Sequence, residues 1–81
     1  MRVGVRFFSY LADLIGAQQV ELDLPAAATI ADLSRRLQEM YPARAAMLAQ
    51  AVFIVDRKHA TPELGLADGA HVLVLLSLGG G

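Results

Sequence analysis

The sequence predicts one small α+β domain of the roll type, in which a single main helix covers a mixed sheet. The chain has 81 residues, enough for one hydrophobic core. Hydrophobic residues make up 56% of it and charged residues 19%, which excludes intrinsic disorder. Segments with strand or helix periodicity follow one another in the order strand, strand, helix, strand, strand.

The first predicted strand covers residues 2–8, in which apolar and polar side chains alternate over part of the length. Ser9 is expected to cap a short helical turn over residues 10–15, and Gly16 to end it. Residues 19–24 alternate again and form the clearest strand of the chain. Because few residues separate the two strands, we expect them to form a hairpin-like pair around the helical turn.

The main helix is predicted to begin after Thr29, which stands three residues before Asp32 in a variant of the capping box. Pro42 interrupts the helix, and residues 43–50 are expected to form a second short helical piece. Apolar side chains recur at helical spacing through the first segment, at Ile30, Leu33, Leu37 and Met40.

The second half of the chain predicts two more strands. Residues 52–55 form a compact apolar run, interpreted as a central strand, and residues 56–59 form a polar turn. An Asp-Gly turn at residues 68–69 precedes the last strand, residues 71–76. We expect the last strand to lie beside the first strand and parallel to it, the usual solution for this order of elements.

Composition and charge exclude several functional classes. The absence of cysteine removes disulfides, thiolate metal sites and cysteine nucleophiles. A net charge of −1 provides no basic field for nucleic acid or anionic lipid. No targeting segment is visible, and the longest apolar run, residues 72–76, is far shorter than the about 20 residues of a membrane span. We expect a cytoplasmic protein with no nucleic-acid or membrane partner.

No catalytic constellation is visible either. The sequence lacks a hydrolase nucleophile elbow, a phosphate-binding loop and a zinc-protease motif. The two histidines, His59 and His71, are expected to be surface residues, and no set of side chains has the spacing of metal ligands. We expect a chain that is not an enzyme by itself, with no metal site and no cofactor of its own.

The end of the chain carries the strongest functional signal, because Gly79, Gly80 and Gly81 follow the last strand. We predict a folded domain over residues 1–76 and a flexible tail over residues 77–81. Glycine has no Cβ, so the tail can pass through a narrow channel, and its five residues span at most about 17 Å. A frayed end or a cloning remnant is the alternative interpretation.

Several segments together carry a resemblance to a known family. They are Val5-Arg6-Phe7-Phe8 with residues 11–16, then residues 29–33, residues 66–69 and Gly80-Gly81. Over essentially its whole length the chain resembles the ubiquitin-like sulfur carriers of the MoaD/ThiS family, and among them most the small subunit of molybdopterin synthase. The resemblance implies a ubiquitin-like β-grasp roll. The chain departs from the family near Leu76 and Ser77, where two prolines are frequent, and at Asp56, where Asn is common.

The resemblance implies a sulfur-carrier cycle. An adenylyltransferase of the ubiquitin-activating type, using ATP and magnesium, would form an acyl-adenylate at Gly81, and a sulfur donor would convert it to a thiocarboxylate. The tail, with Gly79 and Gly80 providing passage, would then enter the large subunit of molybdopterin synthase. There its sulfur would pass to a pyranopterin precursor of the molybdenum cofactor, and the catalytic residues would belong to the partners.

A partner is expected to bind an apolar patch of the folded domain, because ordering the tail costs free energy. Strand alternation turns Leu73 and Leu75 away from the core, and Phe8 away from the side of Phe7. The resemblance places Phe8 and Leu75 at partner-facing positions, and His59 at a position that is usually apolar. We therefore expect these four residues, Phe8, His59, Leu73 and Leu75, to bind partners; burial of the two leucines under a loop is the alternative.

Two other functional classes remain open. A carrier for another thiolation pathway (thiamin, cysteine or tRNA) or a protein modifier would use the same tail chemistry with a different partner. A ubiquitin-like interaction domain would have an inert tail. Conversion of the terminal carboxylate to a thiocarboxylate separates the carriers from the interaction domain.

Overall fold

The computed structural model describes residues 1–76 of the chain, and within them a mixed sheet packs against one main helix. The predicted α+β class is therefore confirmed. The elements in chain order are β1 (Arg2–Phe7), α1 (Tyr10–Ile15), β2 (Gln19–Asp23), α2 (Ile30–Met40), a 3-10 helix (Pro42–Arg44), α3 (Ala45–Ala49), β3 (Val52–Val55), β4 (Lys58–His59) and β5 (His71–Leu75).

The strands lie side by side in the order β2-β1-β5-β3-β4. Strand β1 pairs antiparallel with β2 and parallel with β5, so both predicted pairings are confirmed. Strand β3 is antiparallel to β5 and to β4. The prediction of a central strand at residues 52–55 is confirmed in that β3 has a paired strand on each side, while β5 occupies the middle of the sheet. A run of apolar residues indicates burial but not position within a sheet.

Strand β4 was not predicted, since its residues lie in the polar segment interpreted as a turn. Asp56 and Arg57 form the actual two-residue turn, both with positive φ (53° and 67°). Lys58 and His59 then pair with Val55 and Ile54. A strand this short at a sheet edge carries no periodicity that a sequence could reveal.

The two ends of α1 differ in how well the sequence predicted them. Gly16 ends the helix in the left-handed conformation (φ 91°), and its amide donates to the Ala12 carbonyl oxygen at 2.8 Å, as expected. Ser9 precedes the helix, but its side chain makes no capping hydrogen bond. Its backbone has φ 57° and ψ −140°, far from the extended geometry that aims a hydroxyl at the first amides of a helix. The prediction of a Ser9 cap is wrong.

The capping box of α2 is confirmed. The Thr29 hydroxyl oxygen accepts from the Asp32 amide at 3.3 Å, and an Asp32 carboxylate oxygen accepts from the Thr29 amide at 2.9 Å. This bond from the Thr29 amide is the main reason that the pKa of Asp32 lies below its ordinary value. The box fixes where α2 begins and therefore how the helix crosses the sheet.

The core lies between α2 and one face of the sheet, and every buried side chain among the described residues is apolar. The least accessible of these side chains are Val3, Val5, Leu11, Leu33, Leu37, Leu48, Val72 and Val74. No helix within residues 1–76 is both long enough and apolar enough to cross a lipid bilayer. All the strongly buried strand residues point to the helix side, which leaves the other side of the sheet to be examined for function.

Candidate functional site

The sheet face opposite α2, here called the open face, is the candidate site. Along β1 and β5, buried residues alternate with more exposed ones. Val72 and Val74 point into the core, as predicted, so Leu73 and Leu75 belong to the open face. Their side chains are half-buried.

On the open face, paired residues of neighbouring strands line up in three rows that run across the sheet, and the strand register defines the members of each row. The row at the end of β5, here called the apolar row, contains Phe8, Leu75 and Val52. Leu75 pairs with Val52 across β5 and β3. The Phe8 amide donates to the Val74 carbonyl oxygen at 2.9 Å, which fixes Phe8 beside the end of β5. Phe8 is 56% exposed, unusual for a phenylalanine in a small domain.

The middle row crosses all the strands of the sheet and mixes polar with apolar side chains. In spatial order it contains Gln19, Arg6, Leu73, Ile54 and His59. The two apolar members extend the apolar row toward the centre of the face. Arg6 is an exposed cation beside them.

The far row contains Glu21, Gly4 and His71. A Cβ on Gly4 would lie only 3.1 Å from Nδ1 of His71, so the glycine gives the imidazole room to approach β1. Around this row the face sinks into a shallow depression of about 500 Å³, which Arg6, Leu73 and Arg57 also line. The open face therefore changes from apolar at the end of β5 to polar at the start of β5.

All four residues predicted to bind partners lie on this one face or at its edge. Phe8 and Leu75 are in the apolar row, and Leu73 and His59 are in the middle row. His59 is exposed at the edge strand. The structure thus brings the four residues together, while their role in partner binding stays a prediction.

Sequence reasoning missed Val52 and Ile54, which complete the apolar part of the open face. The uninterrupted apolar run of β3 was interpreted as buried, although only Phe53 within it is fully buried. The available signal was the strand alternation itself, which assigns Val52 and Ile54 to the same face once Phe53 is placed in the core. A run without polar residues hides that alternation.

The predicted tail residues Gly79, Gly80 and Gly81 lie outside the described residues, as does the division of the chain at residue 77. The last described residue, Leu76, follows β5 directly and packs partly against the core. The segment that carries the three glycines consequently starts beside the apolar row. Five extended residues span at most about 17 Å. A partner bound to the apolar row therefore lies within about that distance of Gly81.

The charged side chains at the β2 edge of the open face form ion pairs with one another. Arg2 lies 3.2 Å from a carboxylate oxygen of Asp23 and 3.6 Å from one of Glu21. The hydrogen bond with Asp23 is the main cause that raises the pKa of Arg2. These pairs are exposed and contribute little to stability, but they engage the carboxylates of β2.

No arrangement within residues 1–76 looks like a reaction centre. No group of three or more His, Asp or Glu side chains in that part of the chain is placed to hold a metal ion. No buried polar side chain is present there, as an activated acid or base would require. The described part of the chain instead presents the partly apolar open face.

Solved structures show the same fold. SAMP1 from Haloferax volcanii matches with a TM-score of 0.83 and 19% identity, covering 100% of both chains. A protein provisionally assigned as molybdopterin converting factor, subunit 1, from Pyrococcus furiosus matches with a TM-score of 0.85 and 21% identity, over 96% of this chain and 99% of its own. Small archaeal modifier protein 1 from Methanosarcina acetivorans matches with a TM-score of 0.77 and 17% identity, over 99% and 96%. The fold is thus the ubiquitin-like β-grasp.

The family is shown by the sequence match, not by these distant structural likenesses. No curated protein sequence matches the chain. The model of the ThiS family, however, matches residues 5–81, which includes the three glycines. The chain therefore belongs to the ThiS family of ubiquitin-like sulfur carriers and small modifiers.

Proposed function

We propose that this chain carries sulfur as a thiocarboxylate on Gly81 and delivers it to a pyranopterin precursor during molybdopterin synthesis. The observation that carries the proposal is the position of the apolar row, directly beside the residue from which the glycine segment departs. A partner that docks on the open face would hold the tail at a fixed entry point. The folded domain would then bind, and the tail would react.

The energetics support this division of roles. Ordering a flexible residue costs about 1–2 kcal/mol, so the five tail residues oppose binding by several kcal/mol. Full burial of an apolar side chain contributes roughly 1.5–3 kcal/mol. The open face offers five apolar side chains to a partner, namely Phe8, Val52, Ile54, Leu73 and Leu75. All of them except Phe8 are already half-buried in the free chain, so docking gains only part of the full figure for each. Together the five side chains still contribute a free energy of the size that offsets the ordering of the tail.

The proposed chemistry takes place at the Gly81 carbonyl carbon. The carboxylate is ionised at neutral pH and a poor electrophile, so the adenylyltransferase first joins it to AMP and releases pyrophosphate. A sulfide equivalent from the sulfur donor then attacks the carbonyl carbon and AMP leaves, which gives the thiocarboxylate. The thiocarboxylate sulfur then forms a C–S bond to a side-chain carbon of the pterin as a C–O bond at that carbon breaks and the oxygen leaves. Water hydrolyses the resulting thioester, which leaves the sulfur on the pterin and restores the carboxylate of Gly81. A dithiolene has two sulfur atoms, so two charged carriers are used for each pterin.

The molybdopterin branch is supported by the resemblance to the small subunit of molybdopterin synthase along essentially the whole chain. The proposed partners are accordingly a ubiquitin-activating-type adenylyltransferase, a sulfur donor and the large subunit of molybdopterin synthase. A second candidate is a protein modifier, favoured by the likeness in fold to SAMP1 from two archaea. It shares the acyl-adenylate and differs in the acceptor, a lysine amine in place of a pterin.

Intact mass spectrometry tests the proposal. The chain is incubated with ATP, magnesium, sulfide and the adenylyltransferase of the same organism, and a gain of about 16 Da marks the exchange of oxygen for sulfur. Deletion of Gly81 is the control and should abolish the gain. Adding the large subunit and the cyclic pyranopterin should return the carrier to its original mass as the dithiolene forms. An unchanged wild-type mass contradicts a carrier role, and stable lysine adducts identify a modifier.

A further inference from the structure

We propose that Arg6 recognises a carboxylate on the adenylyltransferase when that enzyme covers the open face, an inference that rests on the proposed function. Arg6 lies in the middle row, paired with Gln19 on one side and Leu73 on the other. Leu73 and Leu75 are two residues apart on β5, about 7 Å along the strand. A partner that covers both leucines therefore covers the base of the Arg6 side chain as well.

The part of the chain that the structure describes supplies no counter-ion for Arg6. Ion pairs among residues 1–76 join Arg2 to Glu21 and Asp23, and Arg35 to Asp32, and none of them includes Arg6. Glu21, two residues along β2 from the residue that pairs with Arg6, is already engaged by Arg2. In the free chain this arrangement costs nothing, because water solvates the exposed guanidinium.

Docking of a partner removes this water from the Arg6 guanidinium. A guanidinium has five N–H donors and stays charged in proteins, so removing it from water without an acceptor is costly. A carboxylate satisfies it with two parallel hydrogen bonds. A partner that binds tightly over the apolar part of the open face must therefore present an anionic acceptor at Arg6.

The depression beside Arg6 provides the space for such a side chain. It has a volume of about 500 Å³ and is lined by the apolar Leu73, by Gly4 and by His71, whose imidazole lies close to Gly4. Arg57 borders the same depression. Two carboxylates, Glu21 and Asp56, line the depression as well. Glu21 is already engaged by Arg2, and the neighbouring Arg57 offsets the charge of Asp56. The environment of Arg6 on β1 thus favours an acidic side chain from a partner protein.

Charge variants of Arg6 test this inference on the full chain, with its adenylyltransferase as the probe. Arg6→Met keeps much of the apolar stem and removes the charge, and Arg6→Glu reverses the charge. Arg36→Glu on α2 is the matched control, because Arg36 is also exposed but lies on the helix away from the open face. Dissociation constants are measured by calorimetry, association rates are measured at low and high salt, and thermal unfolding confirms that the variants fold.

The expected results are specific. Arg6→Met should raise the dissociation constant roughly 30-fold, the equivalent of losing a buried charge partner, and Arg6→Glu should raise it further. Arg36→Glu should leave it within about twofold. Association of the wild type should slow with added salt more than that of Arg6→Met. An acidic-to-basic substitution at one interface position of the adenylyltransferase should restore binding of Arg6→Glu.

Three outcomes overturn the inference, and they are distinguishable. If the wild type forms no thiocarboxylate, the proposed function fails and the inference fails with it. If the wild type reacts but Arg6→Glu binds like Arg36→Glu, the inference alone fails. If Arg6→Glu abolishes self-association of the chain, seen by sedimentation, and leaves adenylyltransferase binding intact, then a second copy occupies the open face.

Discussion

Ser9 and Thr29 look alike in the sequence, since each is a hydroxyl residue placed before a helix, yet only Thr29 caps one. Thr29 has φ −107° and ψ 175°, the extended conformation in which its oxygen reaches the Asp32 amide. Ser9 has φ 57° and ψ −140°, and its side chain bonds to no amide of α1. The difference comes from the tight turn between β1 and α1, which no local pattern of residue types reports.

The two alanine substitutions should therefore differ in cost. Thr29→Ala removes a capping bond and should lower the free energy of unfolding by about 1 kcal/mol. Ser9→Ala removes no capping bond and should change it by less than about 0.5 kcal/mol. Urea unfolding measures both. Equal losses for the two variants would show that Ser9 caps α1 in solution.

Glycine at position 9 should stabilise the chain. The positive φ of Ser9 is strained for a residue with a Cβ and costs of order 1–3 kcal/mol, part of which glycine loses again through its greater freedom in the unfolded chain. We expect Ser9→Gly to raise the free energy of unfolding by about 0.5–1 kcal/mol in the same urea experiment. A loss of stability would contradict the assigned backbone conformation.

At the scale of the elements, the sequence predicted the two faces correctly for those strands in which apolar and polar, or buried and exposed, positions clearly alternate. The faces of β1 and β5 were predicted because charged residues mark the outward positions of β1 and the parity of β5 follows from Val72 and Val74. In β3 every residue is apolar, so no polar residue in the sequence indicated that Val52 and Ile54 point away from the core. Strand β4 consists of two polar residues that pair only because the turn at Asp56 and Arg57 brings them back.

The capping box of α2 predicts a pH dependence of stability. The pKa of Asp32 is lowered in the folded chain, chiefly by the Thr29 amide, so the deprotonated carboxylate is favoured by folding. Its contribution is fully present above its unfolded pKa of about 4 and is lost as the pH falls through the lower folded value. Wild type should therefore lose more stability than Asp32→Asn between pH 5 and pH 2. Parallel unfolding curves for the two proteins would contradict the box.

The apolar row predicts a separation of folding from docking. Leu75 is half-buried on the open face, so Leu75→Glu should leave the fold nearly intact and weaken the complex with the large subunit at least tenfold. Leu64→Glu is the control, because Leu64 is an exposed leucine in the loop between β4 and β5. Binding is compared in a quantitative pull-down. Wild-type affinity for Leu75→Glu, or equal losses for both variants, would exclude the apolar row as the docking surface.

At the scale of the whole molecule, the candidate site is produced by a contact between the two ends of the chain. The parallel pairing of β1 with β5 brings Phe8 and Arg6 beside Leu75 and Leu73. The order of elements and the strand alternation were enough to predict this pairing. The pairing places six of the eleven residues in the three rows, namely Gly4, Arg6, Phe8, His71, Leu73 and Leu75. The chemistry of the glycines was predicted from their lack of side chains and from the family resemblance, because function depends on the site and not on the fold class.

The most direct test of the account adds one alanine after Gly81. The proposed function requires the terminal carboxylate of Gly81 to enter the adenylyltransferase through a narrow passage. The added residue moves that carboxylate and puts a Cβ beside it. With ATP, magnesium, sulfide and the enzyme, the wild type should gain about 16 Da and the extended chain should keep its mass. An extended chain that is shown to remain unprocessed and still transfers sulfur would contradict the central claim.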